Sequence, residues 1–291
     1  MQLGDFLTLQ RGFDITKKEQ RPGPYWVISS SGPSSRHAEC RVRGPGVVIG
    51  RKGSLGGVYL SQADFWPHDT TLWVKDFKDN DPLFSYYLLK TLGLERFDVG
   101  AANPTLNRNH LHLLSVSAPP RPEQRRIAAV LAAYDESIDN NLRRIEILEE
   151  MAQEVYREWF INLRFPGHED VPLVDSAAGP IPDGWSVSTL GAESIAVMGQ
   201  SPKSEFYNDE GAGLPFHQGV TNFGPLFPQH TKHCTVEARI AEAGDTLVSV
   251  RAPVGRINVA DTRMVIGRGL AAIRAADEFP GFHFRQLRHV F

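Results

Sequence analysis

The turn Arg51-Lys52-Gly53-Ser54-Leu55-Gly56-Gly57 joins two long cationic side chains to small flexible residues. Arg or Lys can set two hydrogen bonds on a guanine edge, Asn or Gln can do the same on adenine, and basic side chains with Gly/Ser turns suit phosphate. The same side-chain types gather at Asn103, Thr105, Asn107, Arg108 and Asn109, in what reads as a loop before a strand, and at His68 and Thr70 beside Trp66 and Asp69. In the second half of the chain Gln200, Ser201 and Lys203 share a Gly-Gln-Ser-Pro turn, and Gln218 and Arg251 follow. Each cluster also has a plainer account. The first is a hairpin turn with solvated charges, the Asn-rich stretch is an Asx-turn that satisfies its own backbone, and Trp66 is core with an Asp69 that repels phosphate.

Other chemistries are weaker. Pro67-His68-Asp69 followed by Asp76-Phe77-Lys78 loosely imitates the carboxylate pair and lysine of metal-dependent nucleases, whose carboxylates hold the metal that clamps both reacting oxygens. Asn103-Pro104-Thr105 lacks the aromatic that would stack a flipped adenine, no Gly-rich loop follows a strand, and the P-loop pattern is absent. His37 with Cys40, and His230 and His233 with Cys234, are conceivable zinc ligands, although scattered His and Cys more often pack as surface or core residues. The reading commits to no metal and no catalytic residue.

The elements that must hold these side chains follow from length and pattern. At 291 residues the chain suits two domains. A hydrophobic content of 41% and a charged content of 22% exclude wholesale disorder. No apolar run approaches a membrane span and no leader is evident, so a cytoplasmic setting without a membrane partner is expected. Two cysteines cannot form a disulfide framework. Net charge is −3 overall, but +3 over residues 1–120, −2 over 121–165, −4 over 166–189 and zero over 190–291. Any polyanion must be held by local patches.

The chain repeats itself. Leu3-Gly4 recurs at Leu190-Gly191, and Gly46 to Val58 matches Gly244 to Ile257 as strand, Arg-bearing turn, strand, which puts Arg251 in the equivalent turn. Thr71 to Lys75 matches Leu270 to Arg274, and the stretch from Pro82 matches that from Pro280. Short β-rich runs at 47–49, 57–60, 70–75 and 113–116, with a helix over 82–94, predict an α+β module. The second copy stops inside the matching helix and is expected to be incomplete.

Between the copies the pattern turns helical. From Pro122 to about Phe165 Gly vanishes, and Leu131, Ile138, Ile145, Ala152 and Trp159 fall seven apart, interleaved with Ile127, Tyr134, Asn141, Leu148 and Val155. This is a heptad seam with one polar intruder, and such a seam needs another helix. Pro166, Pro172, Pro180 and Pro182 then mark an exposed connection. The expected organisation is an α+β domain at 1–120, a long coiled-coil-type helix at 121–165, a linker at 166–184 and a second, related α+β domain at 185–291.

This order, together with Gly50-Arg-Lys-Gly-Ser-Leu-Gly-Gly57, Trp66-Pro-His-Asp-Thr-Thr-Leu-Trp73, Asn103-Pro-Thr-Leu-Asn-Arg-Asn-His110, Pro120-Arg-Pro-Glu-Gln-Arg-Arg-Ile127 and Gly184-Trp-Ser-Val-Ser-Thr-Leu-Gly191, resembles the specificity (S) subunit of type I restriction-modification systems. The resemblance spans essentially the whole chain and implies two target-recognition domains that each read half of a split double-stranded DNA target. It implies no catalysis by this chain and no cofactor bound to it. S-adenosylmethionine would be carried by adenine-methylating (M) subunits, and ATP and Mg used by a restriction (R) motor-nuclease subunit. Ile127, Leu131, Ile138, Asn141, Ile145, Leu148 and Val155 are the expected assembly contacts, with an M subunit or with a second S chain. The family usually completes its second domain and adds a second long helix, and this sequence shows neither, so a shortened chain, or one completed by another, is expected. A metal-dependent nuclease and a helical scaffold that reads no sequence are the competing readings.

Overall fold

The computed structural model describes residues 1–98, 105–276 and 279–290. Asn103, one of the sequence-derived candidates, lies outside them. The chain divides into two compact units, Met1–Leu142 and Arg143–Phe291, and both are α+β.

In the first unit a short helix α1 (Leu3–Phe6) leads into strands β1 (Thr8–Arg11), β2 (Tyr25–Ser29), β3 (Gly32–His37), β4 (Gly46–Gly50), β5 (Val58–Ser61), β6 (Phe65–Pro67) and β7 (Thr71–Asp76). One sheet has the order β1-β7-β4-β5 and a second the order β3-β2-β6. Gly46-Val-Val-Ile-Gly50 forms an interior strand because its run of apolar residues can be covered on both faces, and every residue of β4 is buried. Helix α2 (Pro82–Thr91) starts where Asp81 accepts a hydrogen bond from Phe84 N, with Pro82 in the first turn. Its Phe84 and Leu89 close a core with Leu3, Phe6, Leu9, Val47, Ile49, Leu72 and Val74.

The expected strand at 113–116 is not formed. Asn107 instead caps a short helix, α3 (Arg108–His112), and the following residues only bridge the chain start, with Leu3 N donating to Leu114 O and Val116 N to Met1 O. Pro119 and Pro120 then leave no backbone donors to extend a ladder.

Helix α4 (Arg121–Tyr156) runs 36 residues, about 54 Å at 1.5 Å per residue. Gln124 and Ala128 bury its first turns. The helix ends earlier than the sequence suggests: a π-type turn covers Arg157–Ile161, and Leu163 takes a left-handed conformation at φ 56°. An aromatic cluster accounts for this, since Phe160 packs against Tyr156, Trp185 and Phe282. The proline-rich stretch that follows carries a hairpin of β8 (Leu173–Ser176) and β9 (Gly179–Pro182).

The second unit repeats the plan of the first. After helix α5 (Leu190–Glu193) come β10 (Ser194–Met198), β11 (Tyr207–Asn208), β12 (Leu214–His217), β13 (His233–Cys234), β14 (Ile240–Ala241), β15 (Thr246–Ser249), β16 (Ile257–Val259), β17 (Met264–Ile266), β18 (Leu270–Ala275) and helix α6 (Pro280–Val290). Its main sheet has the order β10-β18-β15-β16, strand for strand that of the first unit. The parallel pair β2·β6 likewise has its counterpart in β12·β17.

Candidate nucleic-acid interface

Backbone hydrogen bonds within each unit match those of the other position by position. Gly12 N donates to Thr71 O and Gly199 N to Leu270 O; Phe13 N donates to Pro67 O and Gln200 N to Ile266 O; His68 N donates to Ile28 O and Gly267 N to His217 O. Arg51 N donates to Thr70 O at 2.9 Å, as Val250 N does to Gly269 O at 2.9 Å. The frame is therefore one structure built twice, and residue equivalence can be read from it rather than from side-chain similarity. Arg251 falls opposite Lys52, with Val250 opposite Arg51, so the basic residue of the second turn is set one place further along than Arg51.

In the first unit this frame brings Arg51, Thr105, Asn107 and Arg108 around one cleft of about 360 Å³, together with Arg11. Lys52 makes a β-bridge to Thr105, and Leu106 N donates to Arg51 O. Arg11 Nη2 lies 2.8 Å from Asp69 Oδ2, and Arg51 Nη1 donates to the Asp69 carbonyl at 3.4 Å. Partial burial and the like charge of Arg11 lower the Arg51 pKa, while Asp69 opposes the shift. The outcome is a concave cationic surface whose two arginines are held by Asp69, Arg11 by its carboxylate and Arg51 by its main-chain carbonyl, suited to phosphate oxygens or the acceptor edge of a base.

His68 and Thr70 lie beside this cleft. Thr70 N donates to His68 Nδ1 at 3.3 Å, and its hydroxyl sits 3.0 Å from the same nitrogen. Lys52, Gly53 and Ser54 form the exposed tip of the turn. Asn107 spends its side-chain carbonyl on Asn109 N as a helix cap, which is the Asx-type role; Arg108 and Asn109 are exposed. Trp66 is core, with its indole N–H donated to Phe13 O and its ring packed against His37.

The second unit clusters Gln200, Ser201 and Gln218, with Arg268 among them. Ser201 Oγ lies 2.9 Å from Gln218 Oε1 and 2.7 Å from its Nε2, and accepts from Arg268 N at 3.2 Å. Lys203 stands apart, 3.8 Å from Glu205. Behind Gln218, the buried His217 pairs through Nε2 with His230 Nδ1 at 3.0 Å, and His230 Nε2 meets Asp261 Oδ1 at 3.0 Å. Burial first, and the neighbouring His230 second, push the His217 pKa down to about 4.

Arg11 and Arg268 were not singled out by sequence reasoning. For Arg268 a signal existed: the match of Thr71 to Leu270 places it opposite Asp69. Arg11 falls opposite Met198, and no repeat signal marks it.

The metal readings fare differently from one another. Asp69 lies in the turn before β7 and Asp76 is its last residue, and the strand between them is about 17 Å long at 3.3 Å per residue, so the two carboxylates do not meet on one ion and the nuclease pattern does not assemble. His37 Nδ1 accepts from Arg21 N, and Cys234 Sγ lies 3.3 Å from Val236 O. Among the described residues the group that could gather three ligand atoms is Asp14, His68 and Asp69. There Arg11 already takes an Asp69 oxygen and Thr70 N–H the His68 nitrogen.

With this geometry in place, comparison with known proteins decides the family. Residues 1–150, about half of the chain, match the type I restriction modification DNA specificity domain. The chain belongs to that family. One relative, named "Putative type I restriction enzyme MjaX specificity subunit", from Methanocaldococcus jannaschii, is 33% identical over 230 residues, covering 76% of this chain and 53% of that protein. The type I restriction enzyme MjaIX specificity subunit of the same organism is 33% identical over 138 residues, covering 46% of this chain and 32% of its own length. The chain thus spans about half or less of the length of these curated relatives. A crystal structure of a type I restriction-modification S subunit from M. genitalium aligns over 100% of this chain and 76% of that one, with a TM-score of 0.60 at 19% identity, and so shares the fold.

Proposed function

We propose that this family member is a non-catalytic reader of double-stranded DNA that directs modification and restriction partners to a two-part target. The observation that carries the reading is the frame built twice with different polar side chains at equivalent positions. Arg11, Arg51 and Asp69 in one unit stand where Met198, Val250 and Arg268 stand in the other. Two readers that share a scaffold but differ in donors and acceptors are what a target with two unlike halves requires.

Helix α4 supports the assembly half of the proposal. Ile138 is 55% exposed, Ile145 51% and Leu148 61%, and Ile127, Leu131 and Val155 are exposed as well; Asn141 lies among them. A long apolar stripe bared to solvent is costly unless another helix covers it. Residues 121–165 are assigned spacer and assembly roles, with 1–120 and 185–291 as the readers and 166–184 as the link. The partners are M subunits carrying S-adenosylmethionine, an R motor-nuclease using ATP and Mg, or a second S chain. Among the described residues no helix is long and apolar enough to cross a membrane.

Duplex binding by Arg11→Ala/Arg51→Ala tests the reader. Affinity should fall at least ten-fold, and the salt slope should drop by about two if both arginines meet phosphate, while the thermal transition stays in place. Unchanged binding removes the cleft from the interface and favours the scaffold.

A further inference from the structure

The exchange of Asp69 for Arg268 at one position of the shared frame has a consequence for what the second unit reads. The inference rests on the DNA reading proposed above and deepens it.

In the first unit the side chain at this place is an acceptor, spent on Arg11 at 2.8 Å. In the second it is an exposed guanidinium that makes no ion pair among the described residues. The local sequence is Gly267-Arg268-Gly269, and both glycines are required by close approach. A Cβ on Gly267 would lie 2.7 Å from Gln218 Oε1 and 3.0 Å from its Cα; one on Gly269 would lie 2.4 Å from Gln218 O. The first unit has no such constraint and carries His68 and Thr70 there. The small flanking residues let the end of β12 press against the turn after β17, which sets Gln218 and Arg268 side by side. Ser201 ties them, since its hydroxyl contacts the Gln218 amide and the Arg268 backbone N–H together.

A guanidinium offers two parallel N–H donors that match O6 and N7 of guanine, and an amide offers the donor–acceptor pair that matches adenine. A solvated arginine set against an oriented glutamine and held on a rigid turn has the form of a base-reading pair. A carboxylate at the same place, as in the first unit, would repel guanine's acceptors and accept only from an amino group such as that of cytosine. We propose that Arg268 is a specificity-determining residue of the second unit, reading a guanine edge in its half of the target with Gln218 at its side.

The test is selection of bound duplexes from a randomised library by the full chain, with the wild type, Arg268→Ala and Arg268→Gln compared after equal thermal transitions have been verified. The wild type should enrich a motif containing a guanine for which Arg268→Ala loses preference roughly ten-fold or more, the remaining positions being unchanged. Arg268→Gln should move that position toward adenine. A uniform loss of affinity with the motif intact and the salt slope lowered by about one would make Arg268 a phosphate contact and overturn the proposal. An unaltered motif and affinity would overturn it as well. A wild-type chain that enriches no sequence overturns the underlying DNA reading, and this inference falls with it.

Discussion

Replacing His217 with Ile, the residue that occupies its place in the first unit as Ile28, should remove a defined acid sensitivity from the second unit. His217 is 2% exposed, and its Nε2 faces His230, whose other nitrogen meets Asp261. An arrangement that satisfies both pairs has His230 Nε2–H donating to Asp261 and His217 Nε2–H donating to His230, with the His217 ring neutral. Protonating His217 would bury a cation near His230 and His233, with only Asp261 to compensate. Its pKa is accordingly about 4, against an ordinary 6.5. The unfolded chain takes up this proton near pH 6.5 and the folded chain only near pH 4. Between those values the unfolded state binds more protons, so stability rises with pH. The contribution is fully present above pH 6.5 and is lost as pH falls toward 4. At full extent it is worth roughly 3 kcal/mol, of which about 2 kcal/mol disappears between pH 7 and pH 5. Hydrogen exchange of peptides spanning β12 and β17 at those two pH values reads the opening free energy of this unit alone. The wild type should lose about 2 kcal/mol and His217→Ile almost none of that difference. The depressed pKa of Glu149, held down by Arg285 and Arg288, acts below pH 4.5 and does not interfere. Equal losses in both proteins would refute the argument.

Two further outcomes follow from burial and exposure. Gln124 is 2% exposed and satisfies Asp81 N, Asn80 Oδ1 and Pro119 O at once; Gln124→Ala strands those groups and should cost about 2–3 kcal/mol in denaturant unfolding of the first unit. Ile138→Glu with Ile145→Glu should leave the fold and DNA affinity of the chain unchanged but abolish its co-purification with an M subunit or a second S chain, because charge enters the seam. A pull-down that still recovers either partner would move the assembly surface elsewhere.

Much of this organisation was legible because patterning fixes elements before packing does. The fully apolar run at Val47 to Ile49 read as a strand, and its likeness to the run ending at Ile257 exposed the repeat that the sheet orders display. The heptad on α4 was equally plain, and Ile138, Ile145 and Leu148 of its stripe are exposed. What the sequence hid was set by long-range contact. The 113–116 run is β-rich in composition, but it follows directly on a helix capped by Asn107 and makes only bridges with the chain start. The helix expected to reach Phe165 ended early because Phe160 found Trp185 and Phe282, far along the chain. Arg251 was matched one place off because the two turns, 50–58 and 249–257, have the same length and the same hydrogen bonds but carry their arginines at different places. Arg11 and Arg268 gain meaning only from neighbours brought in by the frame, Asp69 for one and Gln218 for the other.

Methylome sequencing of cells that carry the matching M subunit, with and without this chain, tests the central claim most directly. The account predicts a two-part methylated motif that vanishes when the chain is removed and changes in one half alone when the cleft of one unit is altered. Methylation that is unaffected by loss of the chain, or a motif in which both halves change together, would contradict it.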